Sequence, residues 1–216
     1  GARTESQHIF FDMGLKASPA ATPRVLEIGF GTGLNAWLTL EEAERSRRNI
    51  HYIGLELYPL DWQTVEQLGY ISSDEQLTIH RKQTTTDEQF TPNEEKQQSA
   101  IELFKQLHTS PWEKDVQLTP HFTLRKIETD VNKWRVENSP FNLVYFDAFA
   151  PEKQPEMWSQ ELFNRLYVLL DRDGILTTYC AKGVVRRMLQ TAGFTVERLP
   201  GPPGGKREIL RARKQE

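Results

Sequence analysis

The residues with the clearest capacity for chemistry form a glycine-rich turn. Gly29, Gly31 and Gly33 alternate with single residues directly after the apolar run at 24–28, which is typical of a buried strand. Glycines permit a tight turn and close approach of the backbone to a ligand, and the helix that follows offers free N–H groups at its start. A dinucleotide-binding fingerprint would need its third glycine where Leu34 stands. The spacing favours a different ligand-binding turn, with a plain tight turn as the alternative.

Three acidic residues lie at the ends of the strands predicted around this turn. Glu27 completes an E-x-G-x-G-x-G pattern, which resembles motif I of class I S-adenosylmethionine-dependent methyltransferases; that resemblance implies that Glu27 helps to hold the methionine amino group. Glu56 ends the second strand, where a carboxylate can accept both ribose hydroxyls, although it could be a solvated glutamate beside a turn. Asp130 follows the third strand, where such enzymes contact the adenine amino group. It could also cap a helix that begins near Val131.

Asp147 ends the fourth predicted strand and precedes a proline-stiffened loop. A carboxylate in this position can accept an N–H hydrogen bond from an amine and thereby orient the lone pair of its nitrogen. It can also take up the proton that the amine releases, directly or through water. The alternative is a turn aspartate that is satisfied by backbone N–H groups. Asp147 is the candidate catalytic residue.

Strands and helices alternate in the order that builds a parallel sheet. Apolar runs predict seven strands, at residues 24–28, 51–57, 122–127, 142–146, 175–179, 194–199 and 208–213. Apolar periodicity predicts helices at 34–47, 61–68, 93–107 and 184–192, and one capped by Ser159. The pattern predicts an α/β, Rossmann-like fold with a mostly parallel seven-stranded sheet, helices on both faces and an antiparallel closing strand. Ligands should bind at the carboxyl ends of the strands.

The segment from 69 to 120 fits this alternation least. It is polar and contains a threonine cluster at 84–86. An excursion of this length between strands is usually an insertion or a lid. We expect a single methyltransferase domain over 1–216 that carries a family-specific insertion or lid at about 69–120.

Composition places the chain among cytoplasmic proteins. The 216 residues contain no apolar stretch of membrane-spanning length, and the start has no signal-peptide core. The single cysteine, Cys180, excludes an internal disulfide and a cysteine-rich zinc site.

The net charge of −3 is unevenly distributed. Residues 182–216 carry nine Lys/Arg and three Asp/Glu, a net +6, so the remainder carries −9. The basic end could hold a phosphate backbone or be an ordinary solvated terminus.

Longer motifs in the second half of the chain identify a family. They are D-A-F-A-P-E-K-Q-P-E-M-W at 147–158, T-Y-x-x-x-G-x-V-R-R at 178–187, A-G-F at 192–194 and P-G-P-P-G-G-K-R-E at 200–208. Together they resemble the methyltransferase module of the bacterial tRNA 5-methylaminomethyl-2-thiouridine biosynthesis family, MnmC, with the weakest likeness at 69–120. The resemblance implies methyl transfer from S-adenosylmethionine to the 5-aminomethyl nitrogen of a wobble uridine in tRNA. The implied partner is the tRNA anticodon stem-loop, with a functional link to the enzyme complex that makes the aminomethyl intermediate.

The resemblance also assigns roles by position. The opening A-R-T-E-S-Q-H-I-F at 2–10 also resembles a family segment near the cofactor, which adds Glu5. The resemblance implies cofactor binding by Glu5, Glu27, Gly29, Gly31, Gly33, Asn35, Glu56 and Asp130. It implies contacts with the base or with tRNA phosphates by Phe149, Lys153, Tyr179, Arg186, Arg187, Lys206 and Arg207. Asp147 would face the acceptor amine. The basic residues could equally be solvated surface charges.

Two departures from the family limit how far the resemblance extends. Gln154 and the run Cys180-Ala181-Lys182 differ from the residues that the family leads us to expect, which leaves the fine substrate preference open. The chain also ends before the flavin-dependent oxidase half to which such modules are often fused, so we expect a stand-alone form that uses neither FAD nor a metal.

Other functions share the predicted sheet. The glycine spacing differs from that of a nicotinamide-dependent oxidoreductase. An aminopropyltransferase has an acidic groove for its polyamine substrate, whereas the C-terminus of this chain is basic. Uracil C5 methylation needs a nucleophilic cysteine, but Cys180 follows the fifth strand and not the fourth. A non-catalytic RNA-binding module is the remaining alternative.

Overall fold

The computed structural model describes residues 1–80, 95–136 and 140–215, and it centres on an eight-stranded sheet. The strands of this sheet are β1 (Arg24–Ile28), β2 (Ile50–Glu56), β5 (Val116–Thr119), β6 (Phe122–Glu128), β7 (Phe141–Phe146), β8 (Leu170–Thr178), β9 (Thr195–Pro200) and β10 (Glu208–Arg213). The strands β3 (Gln76–His80) and β4 (Glu95–Ser99) pair antiparallel with each other in a separate two-stranded sheet.

Six α-helices accompany the strands in the described ranges. They are α1 (Ala2–Ser6), α2 (Leu34–Ser46), α3 (Trp62–Glu66), α4 (Ala100–Thr109), α5 (Gln160–Leu169) and α6 (Gly183–Ala192). A π-helical turn at Gln7–Asp12 continues α1, and short 3₁₀ turns lie at Leu15–Ala17 and Pro155–Met157.

The strand order creates a ligand-binding crevice next to β1. The order is β5-β6-β2-β1-β7-β8-β10-β9, and the neighbours from β6 to β8 are all parallel. β2 pairs with one edge of β1 and β7 pairs with the other, so the winding of the chain reverses at β1. The connections that leave β1 and β7 therefore diverge, and ligands of open α/β sheets bind in the crevice between them.

The sheet separates two hydrophobic cores. On one face, Trp37 of α2 packs edge-on against Phe104 of α4, with 5.7 Å between the ring centroids. On the other face, α5 and α6 cover the strands and Phe163 is fully buried. β1 contributes to both cores because successive side chains of a strand point to opposite faces: Val25 lies in the first core and Leu26 in the second.

The predicted fold class is confirmed, with one additional strand. The sheet is mostly parallel at its centre, has helices on both faces and closes with an antiparallel β9–β10 pair. It has eight strands and not seven, because β5 adds antiparallel to β6 at the edge. Part of the segment at 69–120 therefore belongs to the main sheet.

One predicted helix start is wrong, and the helix offered as an alternative near Val131 is a turn. The helix predicted at 93–107 begins only at Ala100, where the Ser99 hydroxyl accepts the N–H of Glu102, and residues 95–99 instead pair with β3. Position 93 and the threonine cluster lie outside the described residues. After Asp130, residues 131–133 form a hydrogen-bonded turn in place of the expected helix at Val131.

Candidate active site

The glycine turn between β1 and α2 requires glycine at its first position. Gly29 has a φ of 88°, and a Cβ on it would lie 2.7 Å from the carbonyl oxygen of Asp147. The N–H groups of Gly29 and Phe30 both donate to the carbonyl of Leu55, over 3.1 and 2.9 Å. The N–H of Asp147 donates to the carbonyl of Ile28, over 3.0 Å. These bonds bring the ends of β1, β2 and β7 to one place.

Glu56, the last residue of β2, faces the glycine turn. Its Oε2 accepts the N–H of Gly31 over 2.8 Å, and its Oε1 accepts the N–H of Tyr58 over 3.0 Å. The two bonds hold the half-buried carboxylate at the wall of a cavity. Because an ionised carboxylate has about four lone-pair sites, Glu56 can accept further hydrogen bonds from ligand hydroxyls.

Asn35, in the first turn of α2, joins two carboxyl groups. Its amide Nδ2 donates to Glu27 Oε2 over 2.7 Å and to Asp147 Oδ2 over 2.9 Å. Asn35 and Asp147 line the cavity, whereas Glu27 is completely buried behind Asn35. Burial, together with the charge of Asp147, raises the pKa of Glu27 well above its usual value.

The environment of Asp147 suits a proton acceptor at neutral pH. Burial raises the pKa of Asp147 to about 7; the hydrogen bond from Asn35 opposes this shift, the nearby carboxylate of Glu5 adds to it, and the ammonium group of Lys206 opposes it. A base is most effective when its pKa lies near the working pH. The side chain also lies at the cavity wall, where a reacting group can reach it.

Aromatic side chains surround the same end of the cavity. Tyr179, which follows β8, donates its hydroxyl to the carbonyl of Ala148 over 2.6 Å, and the ammonium group of Lys206 lies 3.7 Å from the centroid of its ring. Phe149 is 71% exposed, and its carbonyl accepts the indole N–H of Trp158 over 2.8 Å. Phe149 is thus held by its backbone while its ring stays open to a ligand.

The cavity has a volume of about 570 Å³, which is in the usual range for small-molecule sites. It lies at the carboxyl ends of the central strands, as predicted. Four carboxylates and two lysines contribute to its wall, namely Glu5, Glu56, Asp130, Asp147, Lys153 and Lys206. The excess of carboxylates favours a cationic ligand.

Most of the residues predicted for the site meet at this cavity. The wall includes Glu5, Gly29, Gly31, Asn35, Glu56, Asp130, Asp147, Phe149, Lys153, Tyr179 and Lys206. Glu27 and Gly33 lie behind the wall: the first is beneath Asn35, and a Cβ on the second would lie 2.8 Å from His108 Nε2. Cofactor binding by Glu27, whose Oε1 is buried without a hydrogen-bond partner among the described residues, stays a prediction. Arg186, Arg187 and Arg207 do not line the cavity, and their contact with phosphates stays a prediction.

Several wall residues were not predicted from the sequence. Ile9 and Phe10 of the π-helical turn line the cavity, as do Leu57, Tyr58 and Leu60 of the loop after β2. The loop residues immediately follow Glu56, so their position in the chain could have indicated them. Ile9 and Phe10 end the opening segment at 2–10, which resembles a family segment near the cofactor, although only Glu5 was predicted from it.

A family model described as S-adenosyl-L-methionine-dependent methyltransferase matches residues 91–215, more than half of the chain. The chain belongs to this methyltransferase family. The site fits the cofactor of the family. Beside Gly31 there is open space, since a Cβ there would meet only the Gly29 oxygen, at 3.9 Å. Glu56 offers acceptors for a ribose diol, and the acidic wall suits a sulfonium cation that also carries an ammonium group.

Individual relatives of the chain carry more specific names than the family model does. The chain is 31% identical to the tRNA 5-methylaminomethyl-2-thiouridine biosynthesis bifunctional protein MnmC of Marinomonas sp., over 86% of this chain and 25% of that protein. It is 30% identical to the protein of the same name from Cupriavidus metallidurans, over 99% of this chain and 30% of that protein. The chain thus spans a quarter to a third of the length of these relatives. The crystal structure of MNMC2 from Aquifex aeolicus shares the fold, with a TM-score of 0.65 and 21% identity, over 98% of this chain and 61% of that one.

Within residues 1–80, 95–136 and 140–215, His, Cys, Asp and Glu side chains form no group of three that could hold a metal ion. In the same ranges, each helix is too short or too polar to cross a membrane.

Proposed function

We propose that this methyltransferase acts on tRNA and methylates the exocyclic nitrogen of 5-aminomethyl-(2-thio)uridine at the wobble position, giving 5-methylaminomethyl-(2-thio)uridine. The observation that carries the proposal is the carboxyl group of Asp147 at the cavity wall, with a pKa of about 7 and beside open aromatic rings. A methyl acceptor that is an amine needs a proton-accepting group beside it, because the amine must lose a proton when it is methylated. The names of the MnmC relatives support the choice of nucleoside.

Different residues would bind the cofactor and the acceptor amine at the two ends of the cavity. S-adenosylmethionine supplies an electrophilic methyl group on a sulfonium sulfur when it is bound. The glycine turn, Glu56 and Asp130 would hold its nucleoside part, and Asn35 and Glu5 line the wall nearer to Asp147. Asp147 accepts an N–H hydrogen bond from the acceptor amine, orients the lone pair of the nitrogen and receives the proton that methylation releases.

The mouth of the cavity suits an unpaired nucleoside. Tyr58 and Phe149 are 74% and 71% exposed and both contribute to the wall. Exposed aromatic rings at a pocket stack on bases that have left a helix or loop, and single-stranded loops are the usual targets of sequence-specific RNA recognition. An anticodon loop presents its wobble base in this way. Tyr179, farther in, would form the wall behind the base.

A basic surface next to the mouth would hold the RNA backbone. An ion pair between Lys182 and Glu152 joins the start of α6 to the loop that carries Lys153. Arg186 and Arg187 lie in the first turns of that helix, and both have solvent-accessible side chains. Arginine side chains bind phosphates well because the guanidinium fork matches their geometry.

The substrate must come from a preceding reaction that attaches an aminomethyl group to uridine C5, which would link the protein functionally to the enzymes of that reaction. We also propose that the segment at 69–120 is a family-specific addition to a single domain. Its helix α4 packs against the glycine turn through His108, so it would stabilise the cofactor site.

Nucleoside mass spectrometry tests the proposed function. The purified protein is incubated with S-adenosylmethionine and with tRNA that carries 5-aminomethyl-(2-thio)uridine, and the digested nucleosides are compared with those from tRNA that lacks the aminomethyl group. We expect the aminomethyl nucleoside to gain the mass of one methylation, with no gain in the control tRNA. Asp147→Asn should retain binding of S-adenosylhomocysteine but lose most of the methyl transfer.

Other outcomes would overturn the proposal. Methylation of a different nucleoside would exclude the substrate, and tRNA binding without methyl transfer would favour an RNA-binding module. Transfer of an aminopropyl group from decarboxylated S-adenosylmethionine would indicate the polyamine-type reaction.

A further inference from the structure

The ammonium group of Lys206 lies at the end of the cavity that holds Asp147. It stands 3.7 Å from the centroid of the Tyr179 ring, and both residues line the cavity. Its positive charge lowers the pKa of Asp147 and so opposes the effect of burial on that carboxyl group. Lys206 is thus close to the place where the acceptor amine is expected, and this position suits a contact with the base better than a contact with a phosphate.

The hairpin loop between β9 and β10 determines where the side chain of Lys206 begins. The N–H of Gly201 donates to the carbonyl of Arg207 over 2.9 Å. Within the loop, the N–H of Gly205 donates to the carbonyl of Pro202 over 3.0 Å. These two bonds fix the backbone on both sides of Lys206, so its side chain leaves the loop at a defined point.

Tyr179 supports the ammonium group and is itself held in place. Its hydroxyl donates to the carbonyl of Ala148 over 2.6 Å, and its ring packs edge-on against Trp158, with 6.1 Å between the centroids. An ammonium group over the face of an aromatic ring is attracted by the electrons of the ring. A ligand that approaches this face of Tyr179 therefore meets a positive charge with N–H donors.

The donors of Lys206 are free, whereas neighbouring donors are already used. The amide nitrogen of Asn35 donates to two carboxyl groups, and the hydroxyl of Tyr179 donates to a backbone carbonyl. The ammonium group of Lys206 has no hydrogen-bond acceptor among the described residues. Of the two lysines in the cavity wall, Lys153 and Lys206, the second is the one whose charge acts on Asp147.

We propose that Lys206 is a specificity-determining residue that donates a hydrogen bond to O4, the carbonyl oxygen next to the aminomethyl group of the uracil ring. This role rests on the proposed function, in which the 5-aminomethyl nitrogen lies at Asp147. The ring carbon that carries O4 is bonded to C5, so a donor for O4 must lie beside the group that binds the amine.

The chemistry of an ammonium group gives this contact its selectivity. A lysine side chain has three N–H donors and no acceptor. It can therefore bind the O4 acceptor of a uracil ring, whereas cytosine has an amino group, which is a donor, at the same ring position. With cytosine in the site, two donors would face each other and both would lack a partner. Lys206 should thus favour a uridine over a cytidine that carries the same aminomethyl group.

The experiment compares the wild type with Lys206→Met, Lys206→Arg and Lys206→Gln. Methionine has a similar length but no donor, arginine keeps the charge and the donors, and glutamine can either donate or accept. The substrates are two anticodon stem-loops that differ only in the wobble base, which is 5-aminomethyluridine in one and 5-aminomethylcytidine in the other. Methyl transfer gives kcat/KM for each, over a range of salt concentrations. Lys105→Met makes the same change at an exposed position of α4 and is the control.

We expect the wild type to prefer the uridine stem-loop by about tenfold to hundredfold, because a donor left without an acceptor in a closed site is costly. Lys206→Met should lower kcat/KM for the uridine stem-loop by about tenfold or more and change the value for cytidine by less than about threefold. Lys206→Arg should keep the preference. Lys206→Gln should reduce it, which keeps the test decisive if the methionine variant does not fold. Lys105→Met should leave both values unchanged.

Four outcomes would count against this role. Equal losses on both stem-loops in Lys206→Met and Lys206→Gln would show a structural contribution to the cavity. Equal losses together with a salt slope that falls by about 0.7–0.9 would show that Lys206 binds a phosphate. A wild type that methylates both stem-loops equally would show that the group at ring position 4 is not recognised. A wild type that methylates neither stem-loop would overturn the proposed function itself, and the role of Lys206 with it.

Discussion

The Nε2 atom of His108, in the last turn of α4, lies 2.8 Å from the carbonyl oxygen of Thr32 in the glycine turn. Burial lowers the pKa of His108 to about 4, so the ring is neutral at physiological pH and donates Nε2–H to that carbonyl. The same ring packs edge-on against Phe30 and Phe104, at centroid distances of 5.9 and 4.9 Å. Helix α4 thus supports the turn that is expected to hold the cofactor.

Removing the imidazole should weaken the cofactor site. In His108→Leu the Thr32 carbonyl loses its partner at a partly buried position, which typically costs about 1–3 kcal/mol. We expect affinity for S-adenosylhomocysteine, measured by calorimetry, to fall by about threefold to thirtyfold. Thr109→Ala, an exposed change on the same helix, is the control and should leave the affinity unchanged. Equal affinities in the two variants would show that α4 does not support the turn.

The same variant should change how stability depends on pH. Because the pKa of His108 is lowered from 6.5 to about 4 in the folded state, its contribution to stability is fully present above pH 6.5 and is lost as the pH falls towards 4. His108→Leu should therefore flatten the fall in the free energy of unfolding between pH 6.5 and 4.5, measured by urea denaturation. A slope that matches the wild type would contradict the shifted pKa.

The first glycine of the turn should tolerate alanine poorly. In Gly29→Ala the new methyl group would lie 2.7 Å from the backbone oxygen of Asp147, which cannot move without breaking the β1–β7 pairing. Gly69→Ala is a matched control, since Gly69 also has a positive φ, of 64°, but has nothing within 4 Å of its Cβ position. The control should cost about 1 kcal/mol from backbone strain alone. Gly29→Ala should cost clearly more in thermal unfolding and should also lower methyl transfer.

The elements that were predicted correctly are those whose burial imposes a local pattern. The strand before Gly29 is mostly apolar, and the helix after Gly33 is apolar along one face, because the strand lies inside the sheet and the helix packs on it. The carboxyl ends of parallel strands must meet at one edge, so the convergence of Glu56, Asp130 and Asp147 also followed from order along the chain.

The elements that were missed depend on contacts distant in sequence. β4 reads E-K-Q-Q-S and lacks apolar alternation; it is a strand because it pairs with β3. The π-helical turn that carries Ile9 and Phe10 reaches the cavity by packing against a face formed much later in the chain.

The carboxyl group of Asp147 should destabilise the fold once it ionises. Its pKa is raised from 3.8 to about 7, so the stability associated with the protonated form is fully present below pH 3.8 and is lost as the pH rises through 7. Asp147→Asn removes this loss. The variant should therefore gain in Tm relative to wild type, by a margin that grows between pH 5 and pH 8 in scanning calorimetry, while its methyl transfer falls. A margin that stays constant over this range would show that Asp147 titrates as an ordinary surface carboxylate.

If the basic face of α6 binds tRNA, it should contribute to the salt dependence of tRNA affinity. If Arg186 and Arg187 contact phosphates, Arg186→Ala with Arg187→Ala should weaken tRNA binding and flatten the plot of log affinity against log salt concentration. Each lost contact with a phosphate should reduce the slope by about 0.7–0.9, so the pair should reduce it by about 1.5. The control, Arg45→Ala with Lys105→Ala, removes the same charge from the helices that pack on the opposite face of the sheet. If both double variants flatten the slope equally, net charge alone drives the binding and α6 is not the contact surface.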